Sequence, residues 1–153
     1  MNSQYINPLL AATVNVLTTM AMVEVTVGKP CLKEGLDSLG DITSVIDLKG
    51  DNHHGSLAIS FTKEAILNIA ENMLGESFSE VDETIADVVG EITNMITGNA
   101  KQLYSESGLE FDLATPTTTI GKNIPVTHTV TGATLLIPFE TKAGAFYIEV
   151  CFN

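Results

Sequence analysis

The sequence contains no arginine, and all seven of its basic residues are lysines. Nineteen acidic residues give it a formal net charge of −12. Nucleic acids and anionic membrane surfaces are bound by clustered cations, so this composition argues against both as partners. An enzyme that holds a phosphate with its own side chains normally uses arginine or several lysines. We therefore expect no phosphate clamp built from this chain alone.

Cysteines, long apolar runs and export signals are equally scarce. Cys31 and Cys151 stand far apart, without a second thiol or a histidine at metal-ligand spacing, and we expect both to be buried free thiols. The apolar stretch 9–22 is interrupted by Asn15 and three threonines, and it falls short of the roughly 20 residues that a membrane span needs. No basic segment precedes it, as a secretory signal would require. These features predict a cytoplasmic protein without a membrane segment.

Motifs of the common catalytic and metal-binding classes are also missing. The chain has no Gly-x-Ser-x-Gly elbow, no glycine-rich phosphate loop and no cysteine with basic neighbours. His53 and His54 lie in a predicted turn, where adjacent side chains usually point apart, so we do not favour a metal site there. His128 stands alone in a predicted strand and is expected to pack or to face solvent. We expect no metal or cofactor of the chain's own.

What is present suits a single α+β domain covering residues 1–153, since 44% of the residues are hydrophobic. Helical periodicity predicts a long helix at about 3–22, a short one at 63–73 that Thr62 caps, and a second long one that Ser79 together with Asp82 opens and that runs to about 107. Alternating residues predict strands at 23–27, 42–48, 56–61, 126–130, 133–137 and 145–152. The fold class is therefore two long helices and a shorter one packed on an antiparallel β-sheet.

Helices followed by strands occur twice along the chain, which predicts a pseudo-twofold repeat. An offset of 79 positions sets residues 8–18 against 87–97, with apolar opposite apolar at five positions and Asn15 opposite Asn94. Any two amphipathic helices match in part, so the shared asparagine is the informative feature.

The second long helix carries a polar stripe that is a candidate functional site. Asp87, Glu91, Asn94 and Gly98 fall on one face of it, opposite an apolar face. Such a stripe is often no more than a solvated surface. However, Gly90 and Gly98 each cost roughly 1 kcal/mol relative to alanine in a helix interior, and asparagine is a poor helix former. Small residues around Glu91 and Asn94 leave the surface open to a loop of another protein, which favours an interface site.

These residues carry a resemblance to a known family. The run Asp87-x-x-x-Glu91-x-x-Asn94, followed by Pro116 at the head of a predicted strand, resembles the signature of the CheC, CheX and FliY family of chemotaxis phosphatases. The opening Tyr5-Ile6-Asn7-Pro8 and the order of helices and strands fit the same family. Within it, the chain is most similar to the CheX-type members.

The resemblance implies a phosphatase that removes the aspartyl phosphate of a phosphorylated CheY-like response regulator. Asn94 would orient the attacking water and Glu91 would anchor the regulator, whose own active site supplies Mg²⁺. Asp87, Gly90 and Gly98 would line the surface that binds the partner. A non-catalytic adaptor of a response regulator or of a flagellar switch component is the alternative, and a structural domain without a partner at this helix is a third.

The resemblance also bears on the first helix and on assembly. Family members carry one or two such sites, and here Ala12 and Pro8 stand where the first helix would hold the acidic residues, which leaves Asn15 in a degenerate site. Related proteins join β-sheet edges, so the resemblance implies a homodimer, and the apolar strand 145–152 is the predicted edge.

Overall fold

Helices and strands follow one another largely in the predicted order. A computed structural model describes residues 3–153. Its elements are α1 (Ser3–Met20), β1 (Thr26–Val27), β2 (Cys31–Leu32), β3 (Ile42–Lys49), β4 (His54–Phe61), α2 (Lys63–Leu74), α3 (Glu83–Glu106), β5 (Asp112–Leu113), β6 (Thr117–Ile120), β7 (Leu135–Glu140) and β8 (Ala145–Phe152). The predicted α+β fold of two long helices and a shorter one on an antiparallel sheet is confirmed.

Local signals fix where α2 and α3 begin and end. The Asp82 carboxylate accepts a hydrogen bond from the Ile85 N–H at 3.2 Å and caps α3, which therefore begins after Asp82 and not at the predicted Ser79. α2 ends at Gly75, whose φ of 72° is left-handed and suits glycine. Thr62 occupies the N-cap position of α2 as predicted, but its hydroxyl donates to the Ala145 carbonyl at 2.6 Å and makes no capping hydrogen bond. Thr62 instead ties the start of α2 to the start of β8.

The eight strands form one antiparallel sheet whose pairing shows the repeat. Its order is β1-β7-β8-β4-β3-β5, with β2 also on β7 and β6 also on β3. β4 and β8 pair at the centre, from Gly55 opposite Phe152 to Phe61 opposite Phe146. The short strands that follow α1 pair with β7, and those that follow α3 pair with β3. The pseudo-twofold repeat is confirmed, and each half completes the sheet of the other.

One face of the sheet and the helices enclose the core. The core includes alternate residues of the two central strands, Leu57, Ile59 and Phe61 from β4 and Phe146, Ile148 and Val150 from β8. α1 and α3 pack together, and the Tyr104 hydroxyl near the end of α3 donates to the Tyr5 carbonyl near the start of α1. The two long helices are therefore antiparallel. Within residues 3–153, no helix is long and apolar enough to cross a membrane.

The predicted strand at 126–130 is wrong, because this segment crosses the outer face of the sheet as an extended loop. The Val126 N–H donates to the Leu36 carbonyl at 2.7 Å, and the Thr129 hydroxyl donates to the Asp47 carboxylate at 2.8 Å. Val126 is 3% exposed, whereas its neighbour Thr127 is exposed. Exposure alternates along the segment, because Val126 is buried and His128 half-buried while Thr127 and Thr129 are exposed, and this reproduces the sequence period of a strand.

The prediction that β8 lies at the sheet edge is also wrong. β8 pairs with β4 on one side and with β7 on the other. Its apolar content reflects burial on both faces, since Cys151 on the outer face is 1% exposed. Cys31, expected to be buried, is exposed on the short strand β2, while Cys151 is a buried free thiol as predicted. Burial raises the pKa of the Cys151 thiol.

Candidate active site

α3 presents the predicted polar stripe to solvent. Asp87, Glu91, Asn94 and Gly98 are all exposed, and spacings of three or four residues align them in one row along the helix. The opposite side is buried through Ile85, Val88, Val89, Ile92 and Ile96. Gly90 lies half-buried beside the row. The structure therefore brings all five predicted site residues together on one helix.

The side chains of Glu91 and Asn94 face solvent, and their hydrogen-bonding groups are unoccupied within the described residues. Across the described range 3–153, neither side chain makes a hydrogen bond or an ion pair. The Glu91 carboxylate can accept hydrogen bonds, and the Asn94 carboxamide can both accept and donate. The two groups are available to a partner without breaking any interaction inside the fold.

The glycines beside this pair are not required by packing. A Cβ atom added at Gly98 would meet no heavy atom within 4 Å, and one added at Gly90 would meet only the Thr118 hydroxyl, at 3.8 Å. That distance is an ordinary van der Waals contact. Neither glycine has a positive φ that would call for it. The fold leaves room for alanine at both positions, so the low surface beside Glu91 and Asn94 needs another explanation.

Two buried threonines behind the row bond to the helix backbone, and sequence analysis missed them. The Thr93 hydroxyl donates to the Val89 carbonyl at 2.8 Å. The Thr97 hydroxyl donates to the Thr93 carbonyl at 2.8 Å and reaches the Asn94 carbonyl at 3.3 Å. Their spacing of four residues on the buried side of a helix was the available signal, because threonine is costly there unless its hydroxyl bonds back.

α1 carries the degenerate counterpart of this row, in a different register from the predicted one. The Thr13 hydroxyl donates to the Leu9 carbonyl at 2.7 Å, as Thr93 does to Val89, which matches position 13 to 93. The offset is therefore 80 rather than 79. Ala12 is fully buried and cannot correspond to the exposed Glu91.

The offset of 80 leaves the first helix without either functional group. Ala11, which is exposed, takes the place of Glu91, and the half-buried Val14 takes the place of Asn94. Asn15 corresponds to Met95 and is not the counterpart of Asn94. α1 therefore offers neither a carboxylate nor a carboxamide at these two positions.

A second polar cluster lies on the outer face of the sheet. His128 places Nδ1 at 2.7 Å from the Ser56 hydroxyl and Nε2 at 3.3 Å from a Glu149 carboxylate oxygen. Lys33 donates to the other oxygen of Glu149 at 2.7 Å and to the Leu36 carbonyl at 3.2 Å. This order of serine, histidine and acid resembles a hydrolase relay, but Ser56 is 0% exposed and no substrate reaches it. The cluster fastens two loop segments to the sheet.

The remaining predicted alternatives have structural roles. The His53 ring bonds to the Tyr5 hydroxyl, with Nδ1 at 3.1 Å from it. Among residues 3–153 there is no group of three or more histidine, cysteine, aspartate or glutamate side chains placed to hold a metal ion. Pro116 directly precedes β6 as predicted, and β6 lies beside α3 at Gly90 and Thr118.

Comparison with known proteins agrees with the architecture. A CheC-like superfamily protein from Shewanella sp. PV-4 is 46% identical, with a TM-score of 0.92 over 100% of this chain and 99% of that chain. CheX from Borrelia burgdorferi, solved with CheY, BeF₃ and Mg²⁺, is 27% identical, with a TM-score of 0.80 and 97% of each chain covered. The CheY-P phosphatase CheX of Thermotoga maritima is 24% identical over 127 residues, 82% of this chain and 81% of that protein.

A family model described as the chemotaxis phosphatase CheX matches residues 42–140, which include β3, β4, all of α3 and β7. This match covers more than half of the chain, and the likeness to the Shewanella protein extends over its whole length. The chain belongs to the CheX family of chemotaxis phosphatases.

Proposed function

We propose that the protein hydrolyses the aspartyl phosphate of a CheY-like response regulator, with Asn94 orienting the attacking water and Glu91 anchoring the regulator. One observation carries the assignment of these roles. The two side chains project from α3 without an interaction inside the described fold, between glycine positions where the fold has room for a side chain. Asp87, Gly90 and Gly98 would form the surface around them.

Hydrolysis of an aspartyl phosphate requires little from this chain beyond orientation of the attacking water. An aspartyl phosphate is a mixed anhydride, so attack of water on phosphorus breaks the P–O bond and releases inorganic phosphate and the aspartate carboxylate. A carboxamide can hold the water in line with that bond, as a glutamine does in GTP hydrolysis. Holding the water in place replaces an encounter in solution by a reaction within the complex.

Charge neutralisation would come from the regulator. The Borrelia complex contains CheY, Mg²⁺ and BeF₃, a stand-in for a phosphoryl group. With Mg²⁺ in the regulator's site, this chain needs no metal or cofactor of its own. The net charge of −12 and the lack of arginine are then compatible with action on a phosphorylated substrate. Glu91 would pair with a lysine of the regulator and set how deeply Asn94 enters.

The direct test is the decay of a phosphorylated CheY-like regulator in the presence of Mg²⁺, with and without a catalytic amount of this protein. We expect faster decay and repeated turnover. Unchanged decay together with measurable binding would instead support the adaptor function. Unchanged decay without binding would contradict both the phosphatase and the adaptor hypotheses, and the chain would then differ in function from its family.

Gly98→Ala is expected to stabilise the fold and to weaken its function. Alanine lowers the cost of the helix by about 1 kcal/mol, and the position is open within the fold. The added methyl group would enter the space of the regulator, and we expect binding to weaken roughly tenfold, or about 1.4 kcal/mol. Urea unfolding and titration with a beryllofluoride-activated regulator measure the two effects.

Thr18→Ala is the matched control, because position 18 of α1 corresponds to position 98 under the offset of 80. Thr18 is exposed, and its helix has no carboxylate or carboxamide pair. We expect this variant to gain stability without losing affinity. Equal affinity of Gly98→Ala and the wild type would show that the glycine does not serve partner binding.

We also propose that residues 1–153 form one domain, that it works in the cytoplasm with its regulator, and that it assembles as a homodimer. Exchange of short strands between the repeats means that neither half completes its sheet alone.

The homodimer needs a free sheet edge. Since β8 is central, the candidate edge is β6, which pairs with β3 and has Ile120 39% exposed. Light scattering should give twice the monomer mass of 16.3 kDa. Ile120→Lys should return the monomer, and a wild-type monomer would contradict the dimer.

A further inference from the structure

We propose that Thr97 is a positioning residue of the active site, whose buried hydroxyl fixes the helix backbone that carries Asn94. The inference rests on the proposed function, in which the Asn94 carboxamide orients water. Thr97 does not touch the substrate in this account. It acts through the carbonyl groups of the turn to which Asn94 belongs.

The contacts of Thr97 place its hydroxyl across that turn. Thr97 is 1% exposed, and its Oγ1 lies 2.8 Å from the Thr93 carbonyl oxygen and 3.3 Å from the Asn94 carbonyl oxygen. A hydroxyl group has one proton, so the two carbonyls share it. The hydroxyl thereby links the backbone just before Asn94 to the backbone of Asn94 itself.

This turn is the part of α3 that most needs such a link. Gly98 follows directly, and glycine has the widest backbone freedom of any residue. Asparagine is itself a poor helix former, because its side chain competes for backbone groups. Asn94 and Gly98, one helical turn apart, thus both weaken the helix where the carboxamide must be held. A hydrogen bond from a buried, packed side chain restrains the turn from the opposite side of the helix.

Comparison of the two long helices separates Thr97 from its neighbour Thr93. The Thr93 hydroxyl has a counterpart in Thr13 of α1, with the same bond to the carbonyl four residues earlier. Thr97 corresponds to Leu17, which is fully buried and has no hydroxyl. The helix without the carboxylate and carboxamide therefore fills this buried position with an apolar side chain, and the helix with them uses threonine.

The effect on catalysis follows from geometry. Water attacks phosphorus in line with the breaking bond, and small displacements of the positioning group reduce the rate strongly. Thr97→Val keeps the shape of the side chain and removes only the hydroxyl. We expect it to lower kcat about tenfold, with KM for the phosphorylated regulator unchanged and with a Tm no lower than that of the wild type. Thr97→Ser keeps the hydroxyl and should restore most of kcat.

The experiment compares kcat, KM and Tm for the wild type, Thr97→Val, Thr97→Ser and the control Thr13→Val, which removes a buried hydroxyl that bonds to the helix backbone of α1, at the position that corresponds to Thr93. The side-chain amide resonance of Asn94 is recorded for each protein, and we expect broadening or a shift in Thr97→Val alone. An active wild type with an equally active Thr97→Val, or an unchanged Asn94 resonance, would overturn the positioning role alone. Loss of kcat in Thr97→Ser equal to that in Thr97→Val would overturn it as well. A wild type without phosphatase activity would overturn the proposed function and this role with it.

Discussion

Replacing Asn94 by alanine is expected to reduce the stimulated rate of dephosphorylation by roughly a hundredfold or more, while binding of the activated regulator stays within a few-fold of the wild type. The carboxamide is exposed and makes no hydrogen bond within the described residues, so its loss leaves the fold intact. What disappears is the group that holds water in line with the P–O bond. Phosphate release under single-turnover conditions measures the rate, and titration with the beryllofluoride form measures binding.

Glu91→Ala should give the complementary result. Because Glu91 would form an ion pair with the regulator, its removal should raise KM and the dissociation constant about tenfold or more. The rate within a saturated complex should fall less than it does in Asn94→Ala. Glu91→Gln keeps the size of the side chain and removes the charge, so it should behave like Glu91→Ala if the ion pair provides the anchor.

Asn15→Ala is the matched control for both variants. Asn15 is an exposed asparagine on the other long helix, and the offset of 80 excludes it as the counterpart of Asn94. It should retain the wild-type rate and affinity. A loss of activity in Asn15→Ala would mean that the first helix keeps a functional site. Unchanged activity in Asn94→Ala would remove the proposed water-orienting role.

The row on α3 was predictable because its information is local. Asp82 caps the helix, the helical period places Glu91 and Asn94 on the face opposite the core, and both facts depend on residues within a few turns. The roles assigned to the two side chains stay predictions, since their geometry relative to a regulator involves a second molecule. Local sequence patterns can indicate an exposed site, but they do not describe how a partner protein binds to it.

The errors concern features that depend on contacts distant in sequence. The segment at 126–130 alternates because Val126 is buried while Thr127 and Thr129 are exposed, and no pattern within five residues separates this from strand pairing. The apolar content of strand 145–152 suggested a sheet edge, whereas the strand is central and is buried on both faces. The register of the two helices became clear from the bonds of Thr13 and Thr93, which a comparison of residue types does not contain.

Lys33→Met is expected to cost about 3–5 kcal/mol of unfolding free energy, the largest loss of stability from one substitution considered for this protein. The Lys33 and Glu149 side chains are 5% and 1% exposed, and Lys33 Nζ lies 2.7 Å from the Glu149 carboxylate. Removing the lysine leaves a buried carboxylate without its counter-charge. Water cannot compensate it without opening the loop segments that cover the outer face. Urea unfolding monitored by circular dichroism measures the loss.

Adding Glu149→Gln to Lys33→Met should recover a large part of that loss, which distinguishes charge burial from lost packing. The double variant has no uncompensated charge, and the glutamine oxygen can still accept from His128 Nε2. Lys122→Met is the surface control, because the Lys122 side chain is 79% exposed and its ion pair with Asp41 is screened by water. It should unfold like the wild type. If Lys33→Met and the double variant were equally unstable, the buried charge would not be the cause, and the packed stem of Lys33 would be the feature that holds its loop to the sheet.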